Sequence, residues 1–483
     1  MNRKIIGKVM AFLLLLEALF LIPPAAISFF DGARDALFGI VVTMAIAIVL
    51  GLLLWLICRK AQRSFYAREG FLMTALGWLL LSVVGALPFY ISREIPHYVD
   101  ALFETISGFT TTGASILSNV EGMSRGLLFW RSFTHWLGGM GILVFLLAVV
   151  PMGKGGHSVH VLRAESPGPS VSKLVPKLRQ TAAILYSIYI VLTILCVIFL
   201  MIGGMDLFDA LCHAFGTAGT GGFGVKNDSL ASYSHYCQTV CTVFMALFGI
   251  NFSVYFLIIL RKFRQIFRSE ELWTYLGIML GSMLLITLNI RGMFPSTGEA
   301  LHHAAFAVSS IMTTTGYATE DFNLWPQLSR TVLLVLMVIG ACAGSTGGGV
   351  KVARVVLLAK GLSLRIKQML HPRSVNLIHA EGRRVGDETL QGVNTYMAAY
   401  CAIAVISLLI ISLDGFSLET NLSSVLACIN NIGPGLDAVG PTSNYAAFGD
   451  LSKIVLMLNM LLGRLEIFPL LVMLSPKIWR NAD

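Results

Sequence analysis

Charge is scarce in this 483-residue chain. Asp, Glu, Lys and Arg make up 13% of it, against 56% hydrophobic residues and a mean hydropathy of +0.76. A soluble domain carries about a quarter charged residues, so an ordinary water-exposed globule is excluded. Cysteine offers no framework either. The eight are scattered, mostly in apolar segments, with no CxxC, and Cys237 and Cys241 sit one helical turn apart, a spacing that suits packing. The first apolar run has no small-residue cleavage pattern and is followed at once by a second, so it reads as a helix and not a signal peptide. No cluster of Asp, Glu, His or Ser marks one membrane face, as an integral membrane enzyme would need. His135, His213, His302 and His303 fit no metal-ligand spacing and read as packing or helix-end residues. The chain is expected to do no chemistry on a substrate and to bind no cofactor.

Long apolar runs are what the chain has instead. Residues 12–30, 39–57, 182–201 and 272–288 are each close to the length that spans a hydrocarbon core of roughly 30 Å. The net charge of +9 does not point to nucleic acid, because the basic residues segregate by loop. Arg3, Lys4 and Lys8, then 59–68, 154–179, 261–268, 351–384 and the Lys477/Arg480 end fall in alternate loops and hold 26 of the 35 Lys and Arg. The positive-inside rule then predicts both termini in the cytoplasm. Sixteen of the 26 acids fall on the opposite side, including Glu320, Asp321, Asp437 and Asp450, which favours cation traffic at a mouth there.

One motif recurs. DALFETISGFTTTGAS (100–115) and DALCHAFGTAGTGGFG (209–224) align on Asp-Ala-Leu and bring Gly113 onto Gly222. FAVSSIMTTTGYA (306–318) places Gly316 in the same column, and SSVLACINNIGPG (423–435) places Gly433 there. Each tract follows a stretch of ten to twelve residues, too short to cross a bilayer, in a loop assigned to the outer side. The expected fold is an all-α polytopic membrane protein: two leading transmembrane helices, then four pseudo-fourfold units of span, pore helix and span around a central pore. That makes ten crossings and four re-entrant loops. The divisions run 1–69 (leading helices), 70–152 (filter 110–114), 153–268 (basic loop, then filter 219–223), 269–384 (filter 313–317, gating loop 340–351, basic loop) and 385–483 (filter 430–434).

The residue types suit ion permeation. A dehydrated monovalent cation needs a ring of oxygens in place of its water. Glycine accepts positive φ without steric cost and lets consecutive carbonyls aim inward, and threonine adds carbonyl and hydroxyl oxygens. Irregular backbone at membrane depth is tolerated where it lines a wet cavity.

These units resemble the Trk/Ktr/HKT superfamily of potassium transporters. HWLGGMGI (135–142), AGTGGFG (218–224), GINFS (249–253), GSTGGGVK (344–351) and NNIGPG (430–435), with the two extra leading spans, are similar to the TrkH-type membrane subunit across essentially the whole chain. The resemblance implies potassium uptake through one pseudo-fourfold pore in a bacterial cytoplasmic (inner) membrane, a homodimer, and a cytosolic nucleotide-binding regulatory ring of the TrkA type. It implies a potassium ion bound by filter residues Thr111, Thr112 and Gly113; Thr220, Gly221 and Gly222; Thr314, Thr315 and Gly316; and Asn431, Ile432 and Gly433. Each quarter differs and carries one aligned glycine, so fewer well-formed sites than in a dedicated potassium channel are expected.

Residues 333–361 are too long for one span and hold Gly340, Gly344, Gly347, Gly348 and Gly349 around Ser345 and Thr346. The helix should break there. Small residues also serve close helix packing, but the density and the Ser-Thr pair favour a mobile loop. With the family's support, that loop is expected beneath the filter as a gate, with Lys351 as an electrostatic barrier. GSTGGGVK lacks the ending of a phosphate-binding loop and no strand precedes it. Arg464 lies inside an apolar run, two residues before Glu466. Residues two apart face different sides of a helix, so Arg464 is expected to face the pore and bond carbonyls of 344–349 rather than pair with Glu466. Glu17, alone in the first span, is expected to bond a neighbouring helix. The basic 359–384 stretch is the expected dock for a regulatory ring. The rival function is a sodium- or proton-coupled secondary cation transporter, which often holds ionisable groups on broken helices; the four tracts hold no acid.

Overall fold

The computed structural model describes residues 2–60, 67–141, 178–371, 378–381 and 383–476. Most of the basic stretch 154–179, residues 61–66, part of 359–384 and the Lys477/Arg480 end lie outside the described residues.

Six described helices are long and apolar enough to cross a membrane: Arg3–Phe30, Arg34–Cys58, Arg68–Ile91, Gln180–Ile202, Glu270–Ile290 and Asp387–Asp414. A bent pair, His235–Phe248 and Phe252–Ile259, turns through 88° and is a seventh candidate. Leu52, Leu53, Ile57, Leu280, Leu284 and Leu409 on these helices face outward. Hydrocarbon solvates such side chains, and the polar backbone is satisfied inside each helix. The protein is a multi-pass helical membrane protein. Small residues set its closest helix crossings: a side chain at Gly51 would touch Leu15, and one at Gly39 would press on the Pro88 carbonyl.

Four short helices run the opposite way in burial. Tyr98–Phe109, Leu207–Gly219, Thr297–Met312 and Leu418–Ile429 bury most of their residues, polar ones included. Each follows one of the long helices that start at Arg68, Gln180, Glu270 and Asp387. Their lengths are 12, 13, 16 and 12 residues. The third exceeds the expected ten to twelve because Ser296 caps it early, its hydroxyl accepting the Glu299 amide at 3.1 Å. Asp206 and Ser417 cap the second and fourth in the same way.

All four short helices stop alike. The amides of Thr112, Gly221, Thr315 and Ile432 reach back five residues to the carbonyls of Ser107, Gly216, Ser310 and Ala427 at 2.8–2.9 Å. The residue before each is left-handed: Thr111, Thr220, Thr314 and Asn431 have φ between 54° and 60°. This is the Schellman stop, a place where glycine is usual. A β-branched residue there costs about 1–2 kcal/mol.

Three of the helices after the tracts are interrupted. Phe248 and Phe252 flank the 88° bend; Gln327–Ile339 stops at Gly340 and resumes at Val352; and Asp450–Arg464 stops before Phe468. In the first unit Arg125–Gly139 ends at Met140, and residues 142–177 lie outside the described residues. One of these breaks, at 340–351, is the one expected from the glycines. The one after Arg464 contains no glycine and is made by Glu466 and Ile467 at φ 54° and 67°; its sequence signal was Pro469, which lacks an amide proton and sits in the first turn of Phe468–Leu474.

Candidate functional site

The four tract glycines meet. Gly113, Gly222, Gly316 and Gly433 all have positive φ, from 78° to 96°. A Cβ added at Gly113 would collide with the Gly221 carbonyl oxygen, one at Gly222 with that of Thr315, and one at Gly316 with that of Ile432. A Cβ at Gly433 would lie 2.7 Å from the Thr112 oxygen. The contacts run from first unit to second, third, fourth and back to first, so they close a ring. Conformation and space both demand glycine there. All twelve residues singled out from the sequence lie in these four turns.

On one side of the ring is a cavity of about 170 Å³ floored by the four glycines. Among the described residues its charged lining side chains are Arg131 and Lys226. On the other side a cavity of about 70 Å³ is lined by Asn431, Gly344, Ser345, Gly347, Gly348, Gly349, Lys351, Arg464 and Glu466, among others.

The threonine hydroxyls are largely engaged within the protein. Thr110 and Thr112 bond each other at 2.8 Å, as do Thr313 and Thr315. Thr112 also accepts from the Asn431 amide at 3.0 Å. The Thr314 hydroxyl accepts from the Gly348 amide at 2.5 Å. These hydroxyls brace tracts and loop, a structural duty beyond the ion-facing one expected from the sequence.

The 340–351 loop lies directly beneath the third and fourth tracts. The Gly349 amide donates to the Asn430 carbonyl at 3.0 Å. A Cβ at Gly348 would strike that same carbonyl, and one at Gly347 would come within 2.9 Å of the Thr313 oxygen. Cys342 and Gly344 bond Gly249 and Phe252 at the bend of the second unit, both at 3.0 Å. Glu271 accepts the Ala343 amide at 2.5 Å. Lys351 is buried, with φ 80°, and its ammonium bonds the Gly347 carbonyl.

Arg464 reaches across to this loop. Its guanidinium donates to the Thr346 carbonyl at 2.9 Å, the Thr111 hydroxyl at 3.2 Å, the Gly139 carbonyl at 2.6 Å and the Gly138 carbonyl. Glu466 pairs with Arg354 instead, through a helix the sequence did not connect to it.

Other polar residues escaped the sequence reading. Glu104 and Arg131 form a buried pair at 2.6 Å, and Lys453 bonds Asp100 at 2.6 Å. The available signal was a charge inside an apolar stretch, as at Arg131 and Lys453. His135 is more than packing: its Nδ1 lies 2.8 Å from the Gly108 carbonyl and its Nε2 accepts the Phe223 amide at 3.2 Å, so it joins two units. His213 bonds Asp209 within its helix. His302 and His303 meet His235 from the second unit, with ring centroids 4.7 and 6.3 Å away. Among the described residues no group of three or more His, Cys, Asp or Glu is arranged to hold a metal ion. Glu17 is buried, and neither carboxylate oxygen finds a hydrogen-bond partner, contrary to expectation. It faces Gly85 and the Phe109 ring, which offer it no donor side chain.

Comparison with known proteins matches the chain to the TrkH family model, described as cation transport protein, over residues 36–294 and 290–481. It is 36% identical to the Trk system potassium uptake protein TrkH of Escherichia coli (strain K12) over 491 residues, covering all of both chains. It is 33% identical to TrkG of the same organism over 485 residues, covering 99% of each. The crystal structure of the potassium transporter TrkH from Vibrio parahaemolyticus superposes with a TM-score of 0.89 at 32% identity, covering 99% of this chain and 100% of that one. These relatives are named as transport proteins, not enzymes. With the same helical architecture and a match along essentially its whole length, the chain belongs to the TrkH family, within the Trk/Ktr/HKT superfamily.

Proposed function

We propose that this protein admits potassium across a bacterial cytoplasmic membrane through a gated, channel-like pore. The observation that carries this reading is the closed ring in which each tract glycine abuts the carbonyl oxygen of the next unit. Main-chain oxygens of Thr111, Thr112, Thr220, Gly221, Thr314, Thr315, Asn431 and Ile432, with those of the glycines, replace an ion's hydration shell, as a filter requires. The C-terminal ends of four short helices aim their partial negative charge at this region and favour a cation. The reading takes ten crossings, with both termini cytoplasmic. The acid-rich face is the entry side.

The 340–351 loop and Arg464 form the gate. A fixed cation on the pore axis repels a passing one, and Arg464 is held by four acceptors on two other units, the first and the third. Opening requires the loop to leave Thr314 and Asn430 and Arg464 to leave Thr346. The chain supplies no cofactor; potassium is cargo. The relatives are named as Trk system proteins, which supports a TrkA-type nucleotide-binding ring as cytosolic partner, acting on the basic segment after the gate; the reading also takes the protein as a homodimer.

The test is flux of potassium, rubidium and sodium into proteoliposomes holding the purified chain, with and without the ring. A saturable, stoichiometric coupling to sodium or protons would favour the secondary-transporter alternative. Gly113→Ser should lower potassium preference over sodium; an unchanged ratio in folded protein counts against the filter.

A further inference from the structure

The four seams of the ring are held differently. Between second and third units, the Tyr317 hydroxyl donates to the carbonyls of His213 and Phe223, both at 3.2 Å. Between third and fourth, the Asn323 side chain exchanges bonds of 3.3 and 2.9 Å with the Asp437 main chain. Between fourth and first, the Tyr445 amide donates to the Ser115 carbonyl at 2.8 Å, while its hydroxyl braces the Gly433 carbonyl of its own unit at 2.7 Å. These ties all run to main-chain groups; the ion pairs that cross the last two seams near the pore-helix starts, Arg330 with Glu419 and Lys453 with Asp100, touch no tract exit.

At the seam between first and second units, beside the uncharged bonds of His135 and Asn227, a buried ion pair of the first unit reaches the exits of both tracts. Glu104 and Arg131 are 1% and 4% exposed, and Arg131 Nε donates to Glu104 Oε1 at 2.6 Å. The carboxylate also accepts from the Ser115 hydroxyl at 2.9 and 3.1 Å and from the Ile116 amide at 3.0 Å. Arg131 Nη1 donates to the Gly224 carbonyl at 3.0 Å, and the guanidinium lies 3.5 Å over the Phe223 ring. Ser115 and Gly224 occupy matching places, two residues beyond Gly113 and Gly222. The pair thus spans both tract exits at equal height.

Energetics make this arrangement informative. A buried ion pair gives little net stability over apolar packing, because desolvation offsets the attraction. Its use here is geometric, since a planar guanidinium fork fixes two acceptors at once in a way an ammonium cannot. We infer that Glu104 and Arg131 are positioning residues that set the discrimination among monovalent cations, by holding the exits of the first and second tracts at a fixed separation. This rests on the filter reading above. Neither side chain is assigned contact with the ion. Arg131 lines the mouth cavity, where an unpaired cation would repel cargo; Glu104 neutralises it.

The experiment is flux of potassium, rubidium and sodium by the full chain in proteoliposomes, with monodispersity and melting temperature checked for each variant. Arg131→Lys keeps the charge and the tie to Glu104 but loses the fork to Gly224. It should lower the potassium-to-sodium ratio about tenfold, the lower end of the worth of one hydrogen bond to a charged group. Ser115→Ala keeps both charges and should shift the ratio in the same direction by less, which secures the test if Glu104→Gln fails to fold. A wild-type ratio in folded Arg131→Lys and Ser115→Ala, alongside a lowered ratio in Gly113→Ser, overturns the clamp and leaves the filter standing. A wild-type ratio in Gly113→Ser as well overturns both. A change in total flux with constant ratio assigns Arg131 to mouth electrostatics and also overturns the proposal.

Discussion

The two sides of the glycine ring are built on opposite plans. Toward the larger cavity, four turns with the same hydrogen bonds and the same left-handed residue share one task, and each unit contributes equally. Toward the smaller cavity the contributions are unequal. One loop from the third unit, one bend from the second and one arginine from the fourth converge beneath tracts that they do not resemble. Repetition suits a ring that must present oxygens evenly around an axis. An obstruction has no need of symmetry, and a single mobile element is easier to move than four.

The comparison can be broken most forcefully in the ring. Gly316→Ala puts a Cβ onto the Ile432 carbonyl and an L side chain at φ 83°. Overpacking against backbone and left-handed strain together cost about 3 kcal/mol, or roughly a hundredfold in selective flux. Potassium uptake into a strain lacking other uptake routes measures this. If Gly316→Ala transports normally, the ring is not the constriction.

Next in size is the pair beneath the loop. Glu466→Ala strands Arg354, which is 5% exposed. Removing one partner of a buried pair costs about 3 kcal/mol. The expected result is a lowered melting temperature in detergent with an unaltered ion ratio, which would separate the gate side from the filter side. Arg464→Ala should act the other way. It removes four hydrogen bonds to carbonyls and a hydroxyl and a charge worth about 1 kcal/mol or more to a passing cation, so basal leak in proteoliposomes should rise several-fold. Unchanged leak from a folded variant would remove Arg464 from the gate.

The smallest effect lies at the mouth. Asp437 is exposed, and its carboxylate accepts from the hydroxyls of Ser417 at 2.5 Å and Thr420 at 2.7 Å, which hold its pKa below the ordinary value. The folded chain therefore binds this proton less readily than the unfolded one. The stabilisation is present above the ordinary carboxylate pKa and is lost as pH falls through the depressed one. Between pH 6 and pH 3.5 the melting temperature of wild type should fall slightly more than that of Asp437→Asn; parallel curves would show the bonds to be worth nothing.

Much of the ring was legible because its constraint is local. Positive φ and lack of space demand glycine in one column, so alignment of four tracts revealed it. The break at 340–351 was legible for the same reason. Glu271, which caps the gate loop at Ala343, was not, since nothing near 271 in the chain signals a partner 72 residues away. Glu466 was set apart from its neighbour Arg464 but given no partner, and that partner is Arg354, 112 residues away. The break after Arg464 was signalled by Pro469, which cannot continue a helix from Leu465, but nothing local makes Glu466 and Ile467 turn left-handed.

By itself, the sequence determined which segments enter a membrane, how many tracts there are and where each must turn, because hydrocarbon length and backbone sterics act within a few residues. Only the tertiary structure decided which oxygen each glycine faces, which carboxylate each buried cation meets, and that a buried ion pair stands between the exits of the first and second tracts. Those depend on distances between units that are neighbours in space and up to several hundred residues apart along the chain, where no local periodicity carries the information.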